Sequence, residues 1–303
     1  MLILGNRKQQ EILKEFFAKA SKDKDFYFPF LILEGPAHIG KTTLVQKLVK
    51  DFLGNYFLTD YIELLDFSEK LWKKHQIKVD SEDEIKINWE TFIDLGARQV
   101  QDFLLKSWFS GYKIVFIENI DRMTIAAANA MLKIFEEPLP GRLIIWTTTS
   151  KEKLLDTLTS RAFIMRFIVP VDEDWKNIKD FLKNDKIEIF NQYKNVIFSL
   201  SQMRPGIVFS ILENWDTIAS EIKEMYEIFE KFINIYEKNL DLWEKYSVLK
   251  QIVENNWFEK WINFMIYYFD KKWDFKEIKK ILFLKQKKDA HLNLDNLIFE
   301  YSL

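Results

Sequence analysis

Cysteine is absent from all 303 residues. That excludes every disulfide and every zinc site built on thiolates, and it is consistent with a reducing compartment. Glycine is scarce, with 8 residues, and proline scarcer, with 6. The chain shows no internal repeat and no low-complexity segment. The three histidines, His38, His75 and His291, are far apart and show no metal-ligand spacing. No apolar run approaches the roughly 20 residues of a membrane-spanning helix. The opening stretch, Met1 to Lys8, has too short an apolar run for a secretory signal. Charge of one sign is lacking as well. The net charge is −2, so nothing in the overall balance calls for nucleic acid or an anionic membrane as a partner.

What is present is a globular balance, 48% apolar and 30% charged, in a chain long enough for two or three domains. Aromatic residues are plentiful, with 27 Phe and 10 Trp, and read as a packing style.

The most specific motif is Gly35-Pro36-Ala37-His38-Ile39-Gly40-Lys41-Thr42-Thr43. It fits the phosphate-binding pattern G-x-x-x-x-G-K-[ST]. Phe28 to Leu33 before it reads as a buried strand. Thr43 to Phe52 after it reads as a helix with Leu44, Val45, Leu48 and Val49 on one face. Strand, glycine loop and helix is the arrangement phosphate binding requires, because loop and helix N–H groups then converge on the anion. Lys41 is expected to reach the outer phosphates and the Thr42 hydroxyl to reach Mg²⁺.

Lys113 to Asn119 reads as a second buried strand closed by Glu118, the place for a carboxylate that holds hydrated Mg²⁺. Where such sites hydrolyse nucleotide, a second acid usually follows and polarises the attacking water. Here Asn119 follows, and an amide cannot take the proton. Arg142 to Thr149 is a further apolar strand. Its polar end, including Thr148, is either a sensor of the γ-phosphate or a solvated strand terminus. Elsewhere, Arg7 to Ala20 reads as a helix, Phe57 to Leu65 as a strand, and Glu69 to Glu90 as an irregular loop or inserted helix. Asn88 to Phe109 and Thr124 to Glu137 read as helices, Leu154 to Leu158 as a short helix, and Phe163 to Ile168 as a last strand. Alternation of strand and helix up to residue 168 predicts a parallel sheet covered on both faces, with ligands at the carboxyl ends of its strands. Beyond Pro170 only helices are expected: Trp175 to Leu182, Asn191 to Leu200 and Gly206 to Leu212, then longer ones. Met225 to Tyr236 and Trp257 to Phe269 carry aromatic stripes that suit a core or a subunit contact.

Three stretches together carry a family likeness. Lys113-Ile-Val-Phe-Ile-Glu-Asn-Ile-Asp-Arg-Met123 and Ala126-Ala-Ala-Asn-Ala-Met-Leu-Lys-Ile-Phe-Glu-Glu-Pro138 resemble the bacterial DNA polymerase III clamp-loader subunits, as does Thr147 to Arg161. Glu118-Asn119 with Asp121-Arg122-Met123 is most similar to the delta-prime branch, and His291 to Glu300 resembles that branch's terminal stretch. The resemblance implies an α/β P-loop AAA+ module (a parallel sheet between helices) over residues 1–168. An all-α lid over 169–212 and an all-α collar for oligomerisation over 213–303 would follow.

It further implies a cytoplasmic subunit that binds ATP or ADP with Mg²⁺, while the lack of cysteine leaves no zinc site expected. Its partners would be gamma or tau and delta sister subunits, the sliding clamp and primer-template DNA, with no membrane. Arg161, preceded by Ser160, would project into a neighbouring subunit's ATP site. A guanidinium suits this because it stays charged and forks onto phosphate oxygens. The sequence departs from the family in having Ala162 where the motif has cysteine. It also lacks the four-cysteine zinc module, and Gly206 stands where a second sensor arginine would, two positions from Arg204. Three readings result: a poorly hydrolysing delta-prime-like subunit, an active gamma-like ATPase, and a stand-alone AAA+ regulator.

Overall fold

The computed structural model describes residues 2–23, 30–66, 76–80, 82–87, 90–136, 140–238, 242–272 and 274–289. The chain divides into two compact units, Met1–Pro170 and Val171–Leu303.

The first unit is built on five strands: β1 (Phe30–Glu34), β2 (Tyr61–Leu64), β5 (Lys113–Ile117), β6 (Arg142–Thr148) and β7 (Ala162–Arg166). Every pairing among them is parallel, in the order β2-β5-β6-β1-β7. The three inner strands, β5, β6 and β1, are almost wholly buried, which explains their near-continuous apolar sequences. Period-two alternation sorts their side chains into two cores. Leu31, Leu33, Ile114, Phe116, Leu143 and Ile145 pack on one face against α1 (Arg7–Lys22) and α2 (Lys41–Leu53). Ile32, Val115, Ile117, Ile144 and Trp146 pack on the other against α4 (Ala97–Leu105) and α5 (Ile125–Glu136). In α1 the buried positions are Gln10, Leu13, Phe17 and Ala20, a helical stripe in register with the sheet. The Thr124 hydroxyl caps α5 by accepting Ala127 N–H at 3.2 Å.

Two sequence expectations need correction in this unit. Phe57 to Leu65 is not one strand. Phe57–Asp60 is a single helical turn, α3, and only Tyr61–Leu64 pairs in the sheet. The reason is Asp60, which is buried and accepts the N–H groups of Phe109 and Ser110, so its backbone turns inward before β2 begins. The stretch expected to be irregular and then helical contains an antiparallel hairpin, β3 (Glu82–Ile87) with β4 (Glu90–Leu95). The helix that follows starts only at Ala97. Of the remaining short elements, α6 (Asp156–Thr159) lies close to where a short helix is expected. Phe28, Pro29, Pro138 and His291–Glu300 lie outside the described residues.

The second unit is all helical among the described residues: α7 (Asp172–Trp175), α8 (Asn184–Ser201), α9 (Pro205–Glu213), α10 (Trp215–Glu237), α11 (Leu242–Glu254), α12 (Phe258–Lys271) and α13 (Phe275–Asp289). Trp175 to Leu182 is not a continuous helix. Trp175 ends α7, and only a 3-10 turn at Ile178–Asp180 follows. Trp175 instead packs against Phe190 and Phe198 at ring separations of 5.7 and 4.7 Å. The aromatic stripes fill the core. Phe229 meets Phe264 at 4.9 Å, and Phe232 meets Trp261 edge-on at 5.3 Å. Each such contact adds about 0.5–1.5 kcal/mol beyond the area it buries. Among the described residues, no helix is long and apolar enough to cross a membrane.

Candidate nucleotide site

The glycine loop lies between the carboxyl end of β1 and the first turn of α2. Its path depends on backbone that only glycine supplies cheaply. Gly35 has φ 152°, and a Cβ there would lie 2.4 Å from the carbonyl oxygen of Phe167. The Gly35 N–H continues the sheet by donating to Thr148 O at 3.1 Å. His38 (φ 62°) and Gly40 (φ 93°) turn the chain so that α2 begins at Lys41 with no side-chain cap and no acid in its first turn. The positive end of the helix and its first N–H groups are thus left to an anionic ligand. Pro36 and Ala37 are half-buried, Ile39 is buried beneath the loop, and His38 and Thr43 are exposed.

Lys41 is 6% exposed, and its ammonium donates to the carbonyls of Gly35 and Pro36, each at 2.6 Å. Thr42 donates its hydroxyl to Glu118 Oε1 at 2.6 Å. This contact joins the loop to the end of β5, although β6 lies between β1 and β5 in the sheet. Two strand spacings are about 10 Å, so only the forward reach of the loop and the first turn of α2 brings Thr42 to the acid. The Thr42 and Glu118 oxygens are hard donors, the type Mg²⁺ takes alongside phosphate oxygens and water. The residues therefore fit a Mg–nucleotide complex: glycine backbone and helix N-terminus for phosphates, Lys41 for charge, and Thr42 and Glu118 for the ion. Among the described residues, no cluster of three or more His, Cys, Asp or Glu forms a separate metal centre.

Asn119 follows in a left-handed conformation, φ 48°, which asparagine tolerates better than most residues. Its N–H donates to Thr147 Oγ1 at 2.9 Å, and its side-chain amide donates to Asp66 Oδ2 at 2.9 Å. Thr148 is fully buried. Its hydroxyl donates to Asp121 Oδ1 at 2.8 Å and accepts Ser150 N–H at 3.2 Å. The strand terminus at Thr148 is therefore buried and internally hydrogen-bonded, not solvated. Glu34, ahead of the loop, accepts Lys151 N–H at 3.2 Å.

Three residues to which the sequence assigns no role of their own also belong to this site. Arg122, 5% exposed, donates to the carbonyls of Leu64, Leu65 and Glu118 at 3.0, 2.7 and 3.0 Å, stapling the end of β2 to the end of β5. Asp66 donates its backbone N–H to Glu118 Oε2 at 2.9 Å. Gln10, 3% exposed, donates to Ile3 O and Gly5 O and accepts from Leu2 N and Ile3 N, and so holds the strap on which Ile3 lies under Gly40. A polar residue on the buried stripe of α1 is the only sequence signal for Gln10. Asp66 and Arg122 become visible only when the strands are assembled.

Ser160 and Arg161 lie away from these residues in sequence, on the turn between α6 and β7, and both are exposed. Arg161 Nη1 donates to Thr157 O at 2.8 Å, and Ser160 Oγ to the same carbonyl at 3.3 Å. Ala162 begins β7 and pairs with Phe30. In the second unit, Gly206 is exposed in the first turn of α9, and Arg204 donates to Gln202 Oε1 at 2.8 Å.

Residues 8–170 match the model of the family described as DNA polymerase III, delta subunit. The replication factor C small subunit of Methanococcus vannielii is 24% identical over 236 residues, covering 76% of this chain and 66% of that protein. The DNA polymerase III subunit delta' of Haemophilus influenzae is 34% identical over 101 residues, 31% of each chain. Across these relatives and two others, the matched stretches span from 31% to 68% of the relative's length. Among solved structures, the RuvB Holliday junction branch migration motor of Thermotoga maritima superposes with a TM-score of 0.50 at 16% identity. That superposition covers 84% of this chain and 77% of that one, a likeness of fold alone.

Proposed function

We propose a role that proceeds from one premise: the chain belongs to the DNA polymerase III delta subunit family, within the clamp-loader AAA+ proteins. In our reading it is a delta-prime-like subunit that binds Mg–ATP or Mg–ADP, hydrolyses it poorly, and helps to load a sliding clamp on primed DNA. The observation that carries this reading is the Asn119 side chain. It stands next to Glu118, where a water-activating acid would be needed, and it is bonded to Asp66 as a hydrogen-bond donor. Lys41 and the α2 N-terminus would hold the phosphates, and Thr42 with Glu118 the ion. A bound ion would supply charge neutralisation for the phosphates. With no base at 119, the site favours binding over turnover. Thr148 would hold the β6 end against Asp121 beside the phosphates.

Chemistry is assigned to Arg161, acting with Ser160 in a neighbouring subunit's site. Its exposure on a turn, with one guanidinium nitrogen anchored on Thr157 O, supports a side chain presented outward in a defined direction. A lid over 169–212 and a collar over 213–303 that meets sister gamma, tau and delta subunits would follow the nucleotide module. Such a protein works in the cytoplasm.

The test is a reconstituted loader carrying Arg161→Ala. Assembly should be kept, while the loader's ATP turnover is depressed, by about 10³-fold or more at the one site that Arg161 completes, the range for an arginine supplied in trans. Unchanged turnover would remove the finger assignment. A gamma-like active ATPase is the second reading, favoured by the complete Lys41–Thr42–Glu118 geometry. It requires turnover by the isolated chain.

A further inference from the structure

We propose that Asp66 is a positioning residue of the nucleotide site, and that it is the reason residue 119 must be a hydrogen-bond donor. The inference rests on the nucleotide-site reading above. Asp66 lies two positions beyond β2 and more than fifty from Asn119 in sequence, yet it touches both residues that follow β5. Its backbone N–H fixes Glu118 Oε2 at 2.9 Å, while Thr42 fixes Oε1 at 2.6 Å, so both oxygens of that carboxylate are held. Its own carboxylate receives the Asn119 amide at 2.9 Å. Arg122 keeps the two strand ends together and stands 4.0 Å from Asp66 Oδ1.

An acid at position 119 would face a second carboxylate across a contact that is now an amide donating to an anion. Like charges at that separation, in a partly buried setting, repel strongly. The repulsion would displace the residue 119 side chain or the Asp66 loop, and with the loop the N–H that orients Glu118. A carboxylate restored at 119 would therefore disturb the ion-holding residues instead of rebuilding a hydrolytic centre. The partner that permits it is an amide at 66, which could donate to an acid at 119 and reverse the direction of the hydrogen bond.

The experiment uses the full chain and three variants: Asn119→Asp, Asp66→Asn and the double exchange. It measures affinity for a fluorescent ATP analogue with Mg²⁺ and in EDTA, together with thermal unfolding. Asn119→Asp should weaken Mg-dependent binding by about 10- to 100-fold, the range for loss of a residue that orients an ion's ligands. It should also lower Tm by about 3 °C or more. Binding in EDTA should change less. Asp66→Asn alone should weaken binding by a few-fold, since an amide oxygen still accepts. The double exchange should recover most of both losses. Asn119→Asp binding as the unaltered chain does, or a double exchange no better than Asn119→Asp, would overturn the proposal. Tm coupling without any change in Mg²⁺ dependence would also overturn it, making the pair a purely structural contact. Failure of the unaltered chain to bind nucleotide at all would instead overturn the nucleotide reading on which the inference stands.

Discussion

Replacing Gly35 with alanine tests whether the loop's geometry is dictated by the close approach of two backbones. Two costs can be separated. Gly35 has φ 152°, a region that L-residues rarely adopt and whose enforced occupation costs about 1–3 kcal/mol. The new Cβ would also lie 2.4 Å from Phe167 O and 3.1 Å from its carbonyl carbon. The first of these is a backbone atom that no rotamer change can move. Overpacking of this kind costs about another 1–3 kcal/mol. The sum, about 2–6 kcal/mol, is a large part of the roughly 5–15 kcal/mol that stabilises an ordinary domain. Gly54→Ala is the matched control. Gly54 also has positive φ, 52° with ψ −118°, but a Cβ there meets nothing within 4 Å, so it should lose only the backbone cost of about 1–3 kcal/mol. Equilibrium urea unfolding of both variants, with nucleotide affinity measured in parallel, separates the terms. Gly35→Ala should lose at least 1 kcal/mol more than Gly54→Ala and bind nucleotide weakly. Equal losses, or unimpaired binding by Gly35→Ala, would refute the close-approach reasoning.

Other predictions follow from buried charge. Lys113→Met removes the cation 3.2 Å from Asp60 Oδ1 and should cost about 3 kcal/mol, near the lower end for breaking a buried pair. The Phe109 and Ser110 amides still hold the carboxylate and soften the loss. In the unaltered chain, burial pushes the Asp60 carboxyl up, but the backbone and hydroxyl of Ser110, the Phe109 amide and Lys113 outweigh it, so the group stays below its usual range. Its contribution to stability is therefore present above the unfolded pKa of about 3.9 and fades as pH falls through the lower folded value. Thermal unfolding from pH 3 to pH 7 should show that loss at the acid end in the unaltered chain and a somewhat smaller one in Lys113→Met, because Ser110 and Phe109 lower the carboxyl more than Lys113 does. Lys41→Met should keep the fold yet weaken nucleotide binding by about 10- to 100-fold, the equivalent of a charge-assisted hydrogen bond or two. An affinity within about twofold of the unaltered chain would remove Lys41 from the phosphate site.

Much of the sheet was legible because its inner strands are buried on both faces and leave continuous apolar runs, as in Lys113–Ile117 and Arg142–Thr148. The glycine loop was legible because its chemistry needs fixed residue types at fixed spacing. Sequence pattern and structure part where tertiary contact overrides local pattern. Asp60 is drawn inward by Phe109 and Ser110, which lie far along the chain, so the turn at Phe57–Asp60 resembled the strand that follows it. Glu82–Ile87 mixes charge with only two isoleucines, and its pairing with Glu90–Leu95 decides its conformation more than its own propensity does. The roles of Asp66 and Arg122 are not legible in the sequence for a related reason. Asp66 sits in no motif, Arg122 lies in a stretch that carries a family likeness but no chemistry of its own, and their role exists only when the ends of β2 and β5 lie side by side.

The most direct test of the central claim is steady-state ATP turnover by the isolated chain, measured at saturating Mg–ATP with and without primed DNA. The account predicts that the chain binds nucleotide and that its turnover stays at background, because Asn119 cannot activate water. Robust turnover that disappears in Lys41→Met would contradict it and make the chain an ATPase in its own right.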